Sequence, residues 1–176
     1  MTKGIVLYRS LYGATKEYAT QLANYCNFDL LDITKCNINK LSKYEIIIFG
    51  GGLYAGKIKN INFLKKHLPA IKDKHLIIFT VGISELSLEL LENIKIQNFS
   101  GLPKNTPLFY CRGSFDFDKL SFVHRILCSM LSKQIAKKDP TTYETWEKAL
   151  MASINEKCNY IDFNNLKPIV NEMKNR

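Results

Sequence analysis

GIVLYRSLYGAT, residues Gly4 to Thr15, is the segment that decides the fold of this chain: an apolar run passes into a small, polar loop and then directly into a helical pattern. This order predicts a buried strand, a tight loop and a helix N-terminus. Such a loop offers unpaired backbone N–H groups, the hydroxyls of Ser10 and Thr15, and the positive end of a helix dipole. We therefore expect an anion site here, with a phosphate group as its occupant.

Length and composition indicate an ordinary globular protein. The 176 residues are 46% hydrophobic and 23% charged, which favours one domain over residues 1–176 with a core large enough to need no cross-links. The five cysteines are scattered and form no C-x-x-C pair. This pattern disfavours a disulfide framework or a zinc knuckle and favours a reducing cytoplasm.

The charge of the chain and its lack of a recognisable targeting signal restrict the classes of partner and the compartment that we expect. Residues 1–3 lead directly into the first strand, so we expect no signal peptide, and no apolar run approaches the roughly 20 residues that span a bilayer. The formal charge is +9, but the lysines occur in ones and twos and are not interleaved with aromatic residues. We therefore expect a solvated basic surface on a cytoplasmic protein, with no nucleic-acid partner.

Apolar runs and helical patterns alternate along the chain, which is typical of a parallel sheet covered by helices on both faces. Strands are predicted over Ile5–Tyr8, Phe28–Ile33, Glu45–Phe49, His75–Val81 and Pro107–Cys111. Helices are predicted over Ala14–Cys26, over Asn60–Leu68 with Pro69 closing it, from Ser84 as a cap to Ile96, and over Thr142–Lys157 as the last helix, before a polar tail after Asn164. Five such units predict a three-layer, doubly wound α/β fold with a five-stranded parallel sheet.

A segment from about Gly113 to Pro140 follows the fifth strand and has no place in a minimal series of strand–helix units. Within it, Leu120 to Ile135 has the pattern of a helix whose apolar side chains cover more than half of the circumference. Two interpretations stay open. The helix packs against the sheet, or its apolar face contacts a membrane, a quinone-like lipophile or another subunit.

Three predicted loops leave the carboxyl ends of strands, where open α/β sheets bind ligands. The first is Ser10 to Thr15. The second, Gly50 to Gly56, has glycines that let a planar group approach and Tyr54, which is suited to stacking. The third, Thr80 to Ser84, is small and polar. One phosphate loop and two loops suited to an aromatic ring predict a mononucleotide-like cofactor.

Other chemistries find little support in the sequence. There is no G-x-x-x-x-G-K-[ST] motif, and the glycine-rich segment follows the third strand instead of the first, which disfavours nucleoside triphosphate and NAD sites. The histidines are isolated from one another, so we expect no metal site, and no Gly-x-Ser-x-Gly elbow is present. Catalytic side chains are not predicted, and any catalysis must depend on a cofactor.

The residues of the predicted phosphate loop also resemble the motif of a known protein family. The pattern Tyr8-x-Ser10-x-x-Gly13-x-Thr15-Lys16-Glu17-x-Ala19 resembles the phosphate loop and first helix of flavodoxin-type proteins, which bind FMN on a sheet of order 2-1-3-4-5. The resemblance is closest to the flavodoxin-domain branch that includes the menaquinone-dependent protoporphyrinogen dehydrogenases. Phe49 to Lys57 looks like the isoalloxazine loop of that branch, Gly113 onward like its insert, and Thr145-Trp146-Glu147 like the start of its final helix.

This resemblance implies FMN as the cofactor and a glycine-rich second loop whose peptides are free to flip beside the flavin. The implied binding residues are Ser10, Leu11, Tyr12, Gly13, Ala14, Thr15, Gly51, Gly52, Leu53, Tyr54, Ala55, Gly56, Thr80, Val81 and Gly82. Three functions stay open. The first is an FMN-dependent oxidoreductase, quinone-linked and protoporphyrinogen-dehydrogenase-like, with the 113–140 insert as a contact surface that is peripheral to the membrane. The second is an electron-transfer flavodoxin that docks to a redox partner protein, and the third is an interaction module without FMN.

Overall fold

The computed structural model describes residues 3–154 and 156–174. Its strands are β1 (Gly4–Arg9), β2 (Asp29–Asp32), β3 (Ile46–Tyr54), β4 (Lys57–Ile58), β5 (His75–Gly82), β6 (Leu108–Arg112), β7 (Ser114–Phe115) and β8 (Cys158–Asn159). Its helices are α1 (Ala14–Cys26), α2 (Ile61–Lys66), α3 (Leu68–Ile71), α4 (Leu88–Asn98), α5 (Phe122–Ile135), α6 (Thr145–Ser153) and α7 (Lys167–Lys174). None of these helices is long and apolar enough to cross a membrane.

The parallel sheet has the order β2-β1-β3-β5-β6, which confirms the predicted 2-1-3-4-5 topology. The short β2 pairs in parallel with β1, from Ile5 opposite Asp29 to Tyr8 opposite Asp32. Two further pairings are antiparallel: β4 forms a hairpin with β3, and β7 pairs with β8 outside the main sheet. The fold class is the predicted α/β fold with an inserted helical segment after the fifth parallel strand.

Both faces of the sheet are buried, which explains why its strands are continuous apolar runs. Ile5 and Leu7 of β1 point into the core beneath α2, α3 and α4, whereas Val6 between them points toward α1 and α7. Each of these three side chains is almost completely shielded from solvent. The alternation fixes the register of β1 in the sheet, because a slip of one residue would exchange the two faces.

The C-terminal region differs from the prediction. Thr142–Lys157 does not supply the last helix of the sheet: α6 covers only Thr145–Ser153 and contacts α5. The last helix is instead α7, in the segment that was expected to be a polar tail. Leu166 and Ile169 are fully buried beside α1, so this helix completes the core on that face of the sheet.

The segment between β6 and α7 begins and ends beside the same buried hydroxyl, that of Tyr18. Tyr18 of α1 donates a hydrogen bond to the carbonyl of Arg112 at 2.6 Å and accepts one from the N–H of Asp162 at 2.9 Å. The two ends of the segment between β6 and α7 are therefore held together by one side chain of α1.

Three local predictions also change. β3 does not end at Phe49 but continues to Tyr54, because Gly50, Gly51 and Gly52 remain paired with β5. Gly50 lies beneath the ring of Phe79, where a Cβ would stand 2.1 Å from that ring, so glycine is needed there. Pro69 lies in the first turn of α3 and does not close α2, which suits a residue without an N–H. The cap of α4 is Ser87, whose hydroxyl accepts the Leu90 N–H at 3.0 Å, and not Ser84.

Candidate functional site

A cavity of about 390 Å³ lies where β1, β3 and β5 end. Twelve of the fifteen predicted site residues line it: Ser10, Leu11, Tyr12, Ala14, Thr15, Gly52, Leu53, Tyr54, Ala55, Gly56, Val81 and Gly82. The other three lie directly beside them. Gly13 donates its N–H to the Ser10 hydroxyl at 3.1 Å, and the Thr80 hydroxyl donates to the Gly51 carbonyl at 2.9 Å. The structure thus brings the three loops together, and their contact with FMN stays a prediction.

The first loop presents hydrogen-bond donors that have no partner within the helix that follows. Gly13 occupies the N-cap of α1 with a φ of 105°, and no side chain caps this helix. The N–H groups of the first turn, including those of Ala14 and Thr15, therefore point out of the helix end together with its positive dipole. This donor set fits a phosphate dianion and disfavours a neutral group.

The second loop is a tight hairpin and not a free glycine-rich loop. Ala55 and Gly56 both have positive φ values, 46° and 76°, as a two-residue type I′ turn between β3 and β4 requires. The carbonyl of Gly52 accepts the Lys59 N–H at 2.8 Å, and the carbonyl of Gly56 accepts the Asn98 side-chain N–H at 2.7 Å. These bonds hold the Gly52 and Gly56 carbonyls in place, and the expectation that peptides between them are free to flip stays a prediction.

Asn98 clamps this hairpin and was missed at the sequence level. Its side chain is 1% exposed; Oδ1 accepts the Ile58 N–H at 2.9 Å, while Nδ2 donates to the carbonyls of Gly56 and Ile94. The hairpin that borders the cavity is therefore tied to the end of α4. A single asparagine at the end of a helix gives no sequence signal of such a role.

Tyr54 covers the floor of the cavity at Gly52. A Cβ added at Gly52 would stand 2.8 Å from the Tyr54 ring, so glycine is needed for the ring to lie there. Burial of the phenol raises the pKa of Tyr54 to about 12, and the nearby Tyr12 adds to this rise. The Tyr54 hydroxyl is consequently neutral at physiological pH and is available as a hydrogen-bond donor.

The roof of the cavity comes from α5 and α6, which we call the lid. Its lining side chains are mostly apolar: Leu120 just before α5, Leu127, Cys128 and Leu131 from α5, and Trp146 and Leu150 from α6. These residues were not among the predicted site residues, because α6 was assigned to the sheet and the role of α5 was left open. The lid helices contact each other over the cavity, so α5 does not simply cover the sheet.

An ion pair between the exposed Lys138 and the buried Glu147 holds the base of the lid. Lys138 donates to Glu147 at 2.5 Å, and Glu147 also accepts the Glu144 N–H at 3.0 Å in the capping box of α6. The hydrogen bond from Lys138, with that from the Glu144 backbone, lowers the pKa of Glu147 below its ordinary value of 4.5. The carboxylate is therefore fully ionised at neutral pH.

Tyr12 and His124 connect the lid to the first loop. The Tyr12 hydroxyl forms a hydrogen bond with His124 Nδ1 and accepts the Ser121 N–H at 3.4 Å, at the start of α5. Both side chains line the cavity. The sequence alone suggested an isolated His124, because residues 112 positions apart give no sign that they meet.

A doubly wound sheet of this order, with an uncapped helix N-terminus after its first strand and a cavity beside it, defines the chain as a mononucleotide-binding α/β protein of flavodoxin topology. The comparison with protein families agrees, since the model described as "Flavodoxin domain" matches residues 5–144. The chain belongs to the flavodoxin domain family.

Individual relatives are similar to parts of the chain. The chain is 31% identical to an uncharacterized protein of Methanocaldococcus jannaschii over 63% of its own length and 75% of that protein. It is 14% identical to the flavodoxin of Megasphaera elsdenii, with 61% of this chain and 82% of that one covered and a TM-score of 0.47. It is also 19% identical to the Flv1 flavodiiron core of Synechocystis, with 64% of this chain covered and a TM-score of 0.42, and it spans only 31% of that longer chain.

Family membership implies FMN as the cofactor, and the residues of the cavity fit it. The uncapped N-terminus of α1 suits the phosphate, while the apolar walls and Tyr54 suit an aromatic ring. When bound, FMN supplies one- and two-electron transfer that no side chain of the site provides. The residues of the cavity would bind the phosphate at the N-terminus of α1 and orient the ring between the apolar walls.

Proposed function

We propose that this chain is an FMN-dependent oxidoreductase that exchanges electrons with a flat, apolar, quinone-like compound under the lid. The observation that carries the proposal is that one cavity is lined both by the three loops and by the apolar side chains of α5 and α6. A protein that only exchanges electrons with other proteins has no need of an apolar roof. The lid instead provides the walls that an apolar small molecule needs.

Reduction of a quinone to a quinol consumes two electrons and two protons. FMN is the electron donor in the proposal, and the protons come from groups at the cavity wall. The Tyr12 hydroxyl is hydrogen-bonded to His124 Nδ1, and both residues line the cavity. Hydroxyl and imidazole groups can both donate and accept protons, so this pair is suited to supply protons at the cavity wall.

A more specific function is suggested by the resemblance to the protoporphyrinogen dehydrogenase branch. In this case a reduced tetrapyrrole donates electrons to FMN and a menaquinone-like compound accepts them. A quinone that partitions into lipid also places the protein at the periphery of a membrane. Flat ring systems of both kinds suit the same apolar lid.

Electron transfer to a partner protein is the second candidate. It is favoured by the position of Tyr54, which lines the cavity yet remains 40% exposed at the tip of the β3–β4 hairpin. An aromatic side chain that bridges the cavity and the surface offers a docking protein access to the flavin.

The test is anaerobic reduction of the FMN-loaded protein followed by rapid mixing with menadione, a soluble menaquinone analogue. We expect rapid flavin reoxidation in the wild type and about a tenfold slower reaction in Leu131→Glu, because a buried charge disfavours an apolar substrate. Ile96→Glu, on the exposed side of α4, is the matched control and should react like the wild type.

Equal rates in both variants and the wild type would reject the lid as a substrate wall. Fast electron exchange with a flavodoxin reductase, without menadione or protoporphyrinogen turnover, would support the second candidate. If the purified protein is colourless and added FMN does not change its melting temperature, the chain is an interaction module without FMN.

A further inference from the structure

The outer face of α5 is apolar and unpartnered. Five large side chains are exposed on it, Phe122, Val123, Ile126, Leu127 and Met130, with Phe122 76% and Met130 56% exposed. At 100° per residue they fall within an arc of roughly 140°, which is one face of the helix. His124, Leu127, Cys128 and Leu131 lie on the neighbouring arc and line the cavity. The helix therefore has one apolar face toward the cavity and another toward solvent.

The charge around this face has one sign. The segment 119–138 contains five Lys or Arg residues and no Asp or Glu. Lys138 pairs with Glu147 and Lys119 lies near Asp116, but no carboxylate among the described residues pairs with Lys133 or Lys137. Exposed apolar side chains flanked by unpaired lysines are the pattern of a helix that lies in a lipid interface.

We propose that the outer face of α5 docks on an anionic phospholipid surface, so that the mouth of the cavity opens toward the acyl chains. A second copy of the chain is a poorer occupant, because the segment 119–138 has no Asp or Glu that could pair with the lysines of the other copy. The mouth is marked by Leu127, which is 50% exposed and also lines the cavity. Entry of an apolar substrate by this route rests on the proposed function, whereas the docking itself does not.

The exposed apolar side chains of α4 provide a matched control. Leu88 and Ile96 are 82% and 77% exposed, which is at least as exposed as the residues on α5. However, α4 carries Glu89 and Glu92 beside them. An anionic surface should attract α5 and repel α4, although both expose apolar side chains.

The experiment is flotation of the full-length, FMN-loaded protein with vesicles of phosphatidylglycerol or phosphatidylcholine. We expect binding to phosphatidylglycerol that weakens with added NaCl, and little binding to phosphatidylcholine. V123E/I126E should lower the bound fraction about tenfold or more, and L88E/I96E, with the same change in charge, should stay within about twofold of the wild type. Melting temperature and the flavin spectrum check that both variants fold.

Should V123E/I126E fail to fold, K133E/K137E leaves the apolar face intact and must still weaken binding to phosphatidylglycerol. Absence of wild-type binding, or equal losses in the α4 and α5 variants, would overturn the proposal. So would a dimer in sedimentation that V123E/I126E dissociates while vesicles do not bind. Menadione reduction without vesicles is measured on the same samples, so a failure of docking is distinguished from a failure of the proposed redox function.

Discussion

Asn98 shows how one side chain stabilises the edge of the cavity. All three of its hydrogen bonds are at 2.7 to 2.9 Å and involve backbone groups of β4, the β3–β4 turn and α4. Removal of the amide leaves buried donors and acceptors without partners, which costs more than the bonds contribute.

We therefore expect Asn98→Ala to lower the free energy of unfolding by about 2 to 4 kcal/mol and to weaken FMN binding, because the hairpin loses its attachment. Urea denaturation and a fluorescence titration with FMN measure the two effects. Asn93→Ala, at an exposed position of the same helix, should change neither. An Asn98 variant that is as stable as the Asn93 variant would contradict the role assigned to the clamp.

The Tyr12–His124 contact is the second residue-scale feature with a measurable consequence. Tyr12→Phe removes the hydroxyl that joins the first loop to α5. We expect FMN to dissociate about 5- to 15-fold faster, as the loss of one hydrogen bond of roughly 1 to 1.5 kcal/mol implies. Stopped-flow measurement of FMN release tests this, with Tyr25→Phe, 57% exposed on α1, as the control. Unchanged release from the Tyr12 variant would show that the contact does not retain the cofactor.

At the scale of elements, the capping box of α6 makes the lid sensitive to acid. The folded pKa of Glu147 is lowered, so its stabilising contribution is complete above the ordinary value of 4.5 and is lost as the pH falls through the folded pKa. The chain has a single tryptophan, Trp146, whose indole N–H donates to Glu144 at 2.8 Å in the same turn. Its fluorescence therefore reports on this helix.

We expect the fluorescence of Trp146 to shift to longer wavelength below about pH 4.5 in the wild type, before the sheet unfolds. Glu147→Gln should show the red-shifted emission already at neutral pH and lose the acid-dependent step. Glu85→Gln, at an exposed position outside the lid, serves as the control and should keep the wild-type profile. A wild-type profile in Glu147→Gln would mean that the ion pair does not hold α6.

Helix α7 is required for the core, although it is short. We expect Ile169→Ala to destabilise the protein by about 2 to 5 kcal/mol, because it removes a completely buried side chain beside α1. Asn171→Ala, at an exposed position of the same helix, should cost less than about 0.5 kcal/mol. Chemical denaturation followed by circular dichroism measures both, and similar midpoints would refute the assignment of α7 to the core.

The sequence contains a usable signal for α7 but none for the contacts of the lid. Leu166, Ile169, Val170 and Met173 repeat at helical spacing, and an amphipathic helix was predictable from them despite the polar residues between. The partner of α6 was not predictable. Its apolar side chains have helical spacing whether they face the sheet or a cavity, because periodicity shows that a face is buried and not what covers it.

For the molecule as a whole, the topology of the sheet was predictable from the sequence. The residues that line the cavity at the carboxyl ends of its strands were predictable only in part. Continuous apolar strands separated by helical patterns leave few topologies, and the loops after three of them had to meet. The residues that close the cavity come from elements far away in the chain. His124 and Trp146 lie close to the loops only in the tertiary structure, and the sequence around them does not predict this contact.

The hydroxyl of Tyr18 holds together the two points at which the lid joins the rest of the protein. Since Arg112 and Asp162 share this one atom, the chain exits and re-enters the sheet at neighbouring points, and Tyr160 closes the same gap with an N–H donated to Gly113 at 3.0 Å. A few residues would suffice to bridge the gap if the lid were excised. The lid is thus free to be exchanged or redesigned while the sheet keeps its connections.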